Sequence, residues 1–316
     1  MQRRNPHQNE PETPQNTTPQ GTVSTNPIVE WWQNMSQKAH AMWIGGIAIV
    51  VALLVGFGVW HHFSPNQICK RIDNQNAKVL AKPTMKAAPK NPKKFDYSGN
   101  NTEIPDLQNL AKLRKQATDD DVYLRGQISI PGYDVNVPIY EGIAPSTLAW
   151  GAGTSKPGQQ MGKGNYALQA HNYIKKMDGV DNYLVNGWFF TNLQTKVAPE
   201  GAPFTANKYN YFRIPVGTKV YTLDKHNVYT YEVERHIVVD DVNAPGAGKV
   251  LADSEVQQVG DHKTPILTLA TCYIQYGITY PKSRLVYVCK LDKVTPRSQF
   301  KGLHKVFHRN PNAASW

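Results

Sequence analysis

One apolar stretch constrains this chain more than any other feature. Residues 41–60 read AMWIGGIAIVVALLVGFGVW and contain no charged side chain. A helix needs about 20 such residues to cross the hydrocarbon layer of a bilayer. Tryptophans favour the headgroup level, and they mark both ends of the stretch: Trp31, Trp32, Trp43 and Trp60. The pattern predicts a single membrane anchor at 41–60.

Two other interpretations of this stretch fit less well. A cleavable signal peptide has a shorter apolar core behind a short basic leader, whereas forty residues precede this one. A buried core helix is rarely apolar on every face. The basic residues on the two sides do not orient the anchor: Lys38 lies before it, and Lys70, Arg71 and Lys78 lie after it.

The segments beside the anchor predict little packed structure. Residues 1–40 are rich in Pro, Asn, Gln and Thr, which predicts a disordered tail. Residues 61–121 begin with a Pro- and Lys-rich spacer. They end in an amphipathic helix over 103–117, because apolar residues recur there at helical spacing. Residues 295–316 are polar and are expected to form a C-terminal tail.

Residues 122–294 have a different pattern. GQISIPGYDVNVPIYEG, PILTLATC and SRLVYVCKL are short β-rich runs, separated by Gly, Pro and Asn turns. Many short strands with few helical windows predict a mainly β domain, either a closed barrel or a sandwich.

Charge and cysteine content exclude several classes. The net charge is +11, and basic proteins often bind nucleic acid. Here the excess of Lys and Arg over Asp and Glu lies after residue 60 and is spread thinly along the chain, so no nucleic-acid partner is expected. The chain has only three cysteines, too few for a disulfide scaffold or a Cys-rich zinc module.

The three cysteines have different settings. Cys272 ends the run ILTLATC just before a loop, where a rigid sheet can hold a nucleophile that substrate still reaches. Cys289 shares a face with Leu285 and Tyr287 and is expected to be a core residue. Cys69 follows the anchor closely and is expected to be an idle thiol.

A catalytic thiol needs a partner that takes its proton. The β region offers His171, His226, His236 and His262. Their positions in the strand pattern do not decide which of these histidines would take the proton of the thiol.

Several segments together resemble the sortases, the membrane-anchored cysteine transpeptidases of Gram-positive cell surfaces. TLATC at 268–272 and SRLVYVCKL resemble the family signature around its cysteine and arginine. NYALQAHN resembles the strand that leads to the family histidine, and GQISIPGYDVNVPIYEG and LAWGAGT resemble its early strands. The resemblance covers about 122–294 and implies a sortase-like closed β-barrel with short helices.

The resemblance implies a role for each matching residue. Cys272 would be the nucleophile, His171 the acid and base, and Arg284 the group that holds the oxyanion. The neighbouring residues Ala170, Asn172 and Thr271 are expected to bind substrate. Many relatives have glycine before the histidine, so Ala170 is expected to narrow the space beside the site.

The subclass and the partners also follow from the resemblance. Pilus-building sortases carry a second anchor and a lid with an Asp-Pro-aromatic motif, and this sequence shows neither. It is therefore most like the class A housekeeping type, which cleaves a Leu-Pro-x-Thr-Gly sorting signal. The expected partners are surface proteins with that signal and a lipid-linked peptidoglycan precursor. Family topology puts residues 1–40 in the cytoplasm and the barrel outside the cell.

Two further expectations concern loops. The segment 187–213 is longer than expected between strands, and its six aromatic residues either line a surface or pack on each other. The approach to His171, residues 153–170, has no Asp or Glu but carries Lys156 and Lys163. Calcium needs six to eight oxygen ligands, so no metal or other cofactor is expected, although Asp240 and Asp241 lie in a later loop.

Two readings besides the transpeptidase stay open. The chain could be an anchored surface-binding module in which Cys272 is structural. It could also be an anchored cysteine peptidase that only hydrolyses.

Overall fold

The structure is a computed structural model, which describes residues 26–63, 65–81, 83–98, 105–177, 180–183, 189–196, 211–241, 264–275 and 281–307. Most of the expected N-terminal tail lies outside them. The chain divides into two compact units, Met1–Trp60 and His61–Trp316.

The first unit is helical. Helix α1 spans Pro27–Gln33, and the Asn26 side chain caps it by accepting a hydrogen bond of 3.1 Å from the Ile28 amide. Helix α2 spans Gln37–Phe63. Its segment Gln37–Trp60 is the one helix of the described chain that is long and apolar enough to cross a membrane.

Two helices and a 3₁₀ turn precede the barrel in the second unit. Helix α3 spans Pro65–Ala81, a 3₁₀ turn spans Pro92–Lys94, and helix α4 spans Leu107–Gln116. The sequence predicted an aperiodic spacer where α3 lies. Ile72 on α3 is nevertheless buried in the main core, so part of this segment is packed structure.

Arg114 on α4 joins these helices to the barrel domain. Its guanidinium donates to the side chains of Gln75 at 3.0 Å and Asn76 at 2.8 Å, both on α3, and to the Ala149 carbonyl at 3.0 Å. The same group lies over the Trp150 ring, 3.9 Å from its centroid. Hydrogen bonding and stacking satisfy this buried cation, and they hold α4 in one position.

Ten strands and two further short helices complete the described part of the second unit. The short helices are α5, Pro145–Leu148, and α6, Leu303–Phe307. The strands are β1 Leu124–Ile130, β2 Val135–Tyr140, β3 Ala152–Thr154, β4 Asn165–Gln169, β5 Ile174–Met177, β6 Val180–Tyr183, β7 Lys219–Leu223, β8 Asn227–Val239, β9 Ile266–Cys272 and β10 Arg284–Pro296.

Eight of these strands close into a barrel in the order β1-β2-β3-β4-β9-β10-β8-β7, and β5 and β6 form a separate hairpin. Closure leaves no unpaired sheet edge in the barrel. Most neighbours are antiparallel, but β2 runs parallel to β3 and β4 runs parallel to β9. The expected closed β-barrel with short helices is confirmed.

The wall made by β9 and β10 is apolar on both faces. Leu269 and Tyr287 belong to the core that fills the barrel. Ala270 and Val286 belong to a second cluster, together with Val239. Successive side chains of a strand alternate between faces, so the first set faces inward and the second outward.

The barrel domain continues beyond residue 294. Strand β10 runs to Pro296, and a 3₁₀ turn, Arg297–Gln299, leads to α6. The Phe307 carbonyl at the end of α6 accepts hydrogen bonds from Gln127 at 3.0 Å and Asn136 at 2.9 Å. The expected start of the C-terminal tail at residue 295 is therefore wrong. The contacts that pack α6 on β1 and β2 leave no signal in the local sequence.

Candidate active site

Cys272 and Arg284 face each other across two neighbouring strands. Cys272 is the last residue of β9, Arg284 is the first of β10, and the two are direct partners in the antiparallel register. Directly opposed side chains lie on the same face of a sheet. The preceding pair, Thr271 and Leu285, faces the interior, so Cys272 and Arg284 share the outer face.

The Cys272 thiol is buried, with 7% of the residue exposed. Burial raises its pKa, and the positive charge of Arg284 opposes that rise without cancelling it. The resting residue is therefore a neutral thiol, and it needs a base before it can act as a nucleophile.

His171 reaches the same place from β4. The parallel register pairs Gln169 with Ala270 at its last step. The Ala170 amide continues the pairing by donating to the Ala270 carbonyl at 3.3 Å. The ladder ends at this step, and just beyond it the Asn172 side chain donates to the Cys272 carbonyl at 2.9 Å. His171 therefore lies in a segment that runs alongside Cys272.

The environment of His171 keeps it neutral. Burial, and then the charge of Arg284, lower its pKa from 6.5 to about 4. The rings of Tyr173 and Phe189 approach edge-on, with centroids 5.7 and 5.9 Å from the His171 ring. Nε2 has no hydrogen-bond partner among the described residues. A neutral imidazole with an uncommitted nitrogen can accept or donate a proton during a reaction.

Asn172 and Gln194 connect the histidine segment to the cysteine strand. The Asn172 amide donates to the Cys272 carbonyl at 2.9 Å and to Gln194 Oε1 at 2.8 Å. Gln194 in turn accepts from the Ile274 amide at 3.0 Å and donates to the Ile274 carbonyl at 2.8 Å. We call Asn172 and Gln194 the amide clamp. It sets the spacing between two segments that lie a hundred residues apart in sequence.

The residues just before Gln194 support the histidine from the other side. The Phe190 amide donates to the His171 carbonyl at 3.0 Å. Phe189 is buried and has a φ of 54°, in the left-handed region that side chains other than glycine rarely adopt. Such strain persists only where the surrounding structure enforces it. Sequence reasoning gave Gln194 no role, because only its tertiary contacts distinguish it from other glutamines.

A model of the sortase domain matches residues 128–292 of this chain. The chain belongs to the sortase family. Members of this family are cysteine transpeptidases, and this chain is therefore an enzyme of that type. The binding-module interpretation is accordingly set aside.

Curated relatives and solved structures of the family are similar to this chain. Sortase A of Bacillus anthracis is 29% identical over 184 residues, which cover 57% of this chain and 68% of the relative. Sortase A of Listeria monocytogenes is 24% identical over 253 residues, covering 78% and 90%. The solved structure of Listeria monocytogenes sortase A is 25% identical and covers 58% of this chain and 97% of its own, with a TM-score of 0.40.

The three predicted substrate-binding residues, Thr271, Ala170 and Asn172, are buried next to Cys272 and His171. Thr271 points inward, and its hydroxyl donates to the Ala170 carbonyl at 2.8 Å. The Ala170 side chain belongs to the barrel core, and its effect on the space beside the site stays a prediction. Asn172 uses its amide in the clamp. Direct binding of substrate by these residues stays a prediction.

The long segment 187–213 is described only in part. Phe189, Phe190 and Phe212 are buried in the barrel core, and Tyr211 packs against Tyr273, with ring centroids 5.4 Å apart. Trp188 and Tyr209 lie outside the described residues. The described aromatic residues therefore support the site from within.

The loop before His171 is held by an amide side chain. Gln159 donates to the Asn165 carbonyl at 2.7 Å and accepts from the Lys156 amide at 3.1 Å.

Within the part of the chain that the structure describes, no three His, Cys, Asp or Glu residues lie close enough together to hold a metal ion. Independence from calcium stays a prediction.

Proposed function

We propose that this sortase is anchored in the cell membrane and cleaves a Leu-Pro-x-Thr-Gly sorting signal between Thr and Gly. It then transfers the new acyl group to an amine of a cell-wall precursor. The observation that carries the proposal is the shared outer face of Cys272 and Arg284, alongside which the bond from Asn172 to the Cys272 carbonyl holds the His171 segment. This arrangement supports the proposal, because a thiol, a fixed cation and a neutral imidazole are the groups that acyl transfer needs as nucleophile, oxyanion partner and proton carrier.

In the first half-reaction, Cys272 forms the acyl-enzyme. Its sulfur attacks the threonine carbonyl carbon after losing its proton, which His171 accepts. The bond from that carbon to the glycine nitrogen then breaks. His171 returns the proton to the leaving amine, so the acyl-enzyme carries a neutral imidazole.

In the second half-reaction, an acceptor amine attacks the thioester carbon. A new carbon–nitrogen bond forms and the carbon–sulfur bond breaks. His171 takes the proton that the amine loses and passes it to the leaving sulfur, so Cys272 returns to the neutral thiol and His171 to the neutral imidazole. Water can take the place of the amine, and hydrolysis then follows as a slower side reaction.

Arg284 is placed to stabilise the oxyanion of both tetrahedral intermediates. One of its terminal nitrogens, Nη1, donates to the Pro281 carbonyl at 2.7 Å and the Ser283 carbonyl at 3.0 Å. These bonds fix the plane of the guanidinium, which keeps further donors for substrate. A preorganised donor of this kind stabilises developing negative charge without reorganising.

The same proposal includes the topology of the chain in the membrane. Helix α2 is the anchor, residues 1–40 lie in the cytoplasm, and the barrel lies outside the cell. The substrates are surface proteins with a C-terminal sorting signal, and the acceptor is a lipid-linked peptidoglycan precursor. No calcium is required, because the loop before His171 offers lysines where ligands would be needed.

The test uses the full chain in mild detergent with a fluorogenic Leu-Pro-x-Thr-Gly peptide and triglycine. The proposal expects cleavage between Thr and Gly and a ligated product by mass spectrometry, with equal rates in chelator and in millimolar calcium. Cleavage without ligation would favour the enzyme that only hydrolyses. A several-fold calcium stimulation at fixed ionic strength would contradict the metal-free part of the proposal.

A further inference from the structure

A pocket of about 240 Å³ lies between helix α4 and His171. Asn109, Lys112 and Gln116 of α4 line one side, together with Leu113, and His171 lines another. Cys272 and Arg284 are not among its lining residues in the described chain. The pocket therefore approaches the imidazole from the α4 side and not from the outer wall that carries the thiol.

The walls of this pocket are held firmly. Arg114 fixes α4 to the barrel domain through the contacts described above. Asp106 caps the start of α4 by accepting from the Asn109 amide at 2.7 Å. The Tyr173 hydroxyl donates to the Pro105 carbonyl at 3.0 Å. Because Tyr173 follows His171 by two residues, this bond ties the pocket rim to the histidine segment.

A transpeptidase must bring two substrates to one proton carrier. The acyl chain of the first occupies the face of Cys272, so the second must approach from another side. His171 lines the α4 pocket, and its Nε2 has no partner among the described residues. We infer that the pocket between α4 and His171 binds the acceptor amine during the second half-reaction. This inference rests on the proposed function.

The lining of the pocket defines the chemistry of the acceptor. Lys112 brings a positive charge, Asn109 and Gln116 bring carboxamides, and no described lining residue is acidic. A simple alkylammonium is repelled by Lys112, whereas a carboxylate close to the amine is attracted. The same positive charge favours the neutral, nucleophilic form of the amine. The acceptor class is therefore a primary amine that carries a carboxylate nearby, as in an amino acid.

Reaction in the pocket keeps atoms and protons in balance. The acceptor nitrogen bonds to the thioester carbon as the carbon–sulfur bond breaks. The proton that the nitrogen loses passes to His171, which became neutral when it protonated the first leaving group, and then to the sulfur of Cys272, which returns to the thiol. No additional co-reactant is needed.

The test measures how fast the acyl-enzyme is ligated to an amine and how fast it is hydrolysed, with the full chain in detergent. Alanine and alaninamide serve as acceptor probes, since they differ in the charge of one group. Lys112→Gln should raise the KM for alanine about threefold to fivefold, the range of a partly screened charge pair. The KM for alaninamide, the KM for the sorting peptide and the hydrolysis rate should change less than about twofold. Lys115→Gln on the same helix is the matched control.

A second pair of variants tests whether the pocket between α4 and His171 must be open for ligation. Gln116→Trp should fill the pocket, so that ligation falls at least about tenfold while hydrolysis of the sorting peptide continues. Gln108→Trp, an exposed position of α4 outside the pocket lining, should leave the ratio of ligation to hydrolysis unchanged.

The possible failures can be told apart. If the wild type does not cleave the sorting peptide, the proposed function is wrong. If the wild type cleaves and ligates, but Gln116→Trp keeps the wild-type ratio, only the pocket inference is overturned. If Gln116→Trp loses cleavage and ligation together while it stays folded by circular dichroism, the pocket does not belong to the acceptor, and the inference is also overturned.

Discussion

Cys272 and Cys289 lie on neighbouring strands of one wall, yet they belong to opposite faces. Cys272 ends β9 on the outer face beside Arg284. Cys289 lies within β10 and belongs to the barrel core, as the sequence predicted. Both thiols are buried, and burial raises the pKa of both. Burial alone therefore does not distinguish a nucleophile from a core residue.

The neighbouring charges make the difference. Arg284 lowers the pKa of Cys272 and so favours its thiolate, whereas the carboxylate of Glu234 raises the pKa of Cys289 further. Cys272 also lies alongside the segment that carries His171, and Cys289 packs among apolar side chains. The end of the outer face that carries Cys272 and Arg284 is thus suited to chemistry, whereas the position of Cys289 on the inner face is suited to stability.

The sharpest test of this comparison removes each thiol in turn. Cys272→Ala should lower acyl transfer by at least about 10⁴-fold, because no neighbour can replace the nucleophile. Cys289→Ala should remain active and lower the free energy of unfolding by about 1 kcal/mol. Fluorogenic cleavage and urea unfolding measure the two effects. Turnover by Cys272→Ala, or a folded but inactive Cys289→Ala, would contradict the assignment.

A second test uses pH to probe the burial of His171 on the outer face. Its pKa falls from 6.5 in the unfolded chain to about 4 in the folded one. Between these values only the unfolded chain binds the proton, so stability is fully present above pH 6.5 and is lost as the pH falls towards 4. The loss should be on the order of 3 kcal/mol.

The measurement is the free energy of urea unfolding at pH 7.5 and pH 4. His171→Gln should remove most of the difference between the two pH values. His226→Gln, which replaces an exposed histidine in the β7–β8 turn, should keep the difference. Equal pH dependence in wild type and His171→Gln would show that the histidine is solvated.

A third test replaces the guanidinium of Arg284 on the outer face by an ammonium, which changes the shape of the cation and keeps its charge. Arg284→Lys should lower turnover about 10²-fold, the effect of losing one oxyanion donor, because an ammonium cannot replace the anchored guanidinium fork. Arg235→Lys, an exposed position paired with Val288 of the same wall, is the control. Near-normal turnover in Arg284→Lys would mean that only the charge is needed.

The smallest expected effect concerns the amide clamp. Gln194→Ala removes the bonds that connect Asn172 to the segment after Cys272. Looser positioning should lower kcat about tenfold with little change in the KM for the sorting peptide. Gln160→Ala, at an exposed site, should change neither constant. A rise in KM with an unchanged kcat would assign Gln194 to substrate binding instead.

The local features of this chain could be predicted from its sequence. The apolar run of 41–60 lies within α2, and the alternation around Cys289 placed that residue in the core. Such patterns are visible because burial repeats with the period of a helix or strand. The sortase signature also marked His171, Cys272 and Arg284, although no spacing rule could choose His171 among the histidines.

Only the tertiary structure decided which distant segments meet. The parallel pairing of β4 with β9 brings His171 beside Cys272, and Gln194 joins their segments. The packing of α3 on the core and of α6 on β1 and β2 likewise has no local signature. The sequence by itself determined the faces of each strand, because side-chain alternation is local. Barrel closure and loop packing determined the neighbours, because strand pairing depends on contacts across the whole domain.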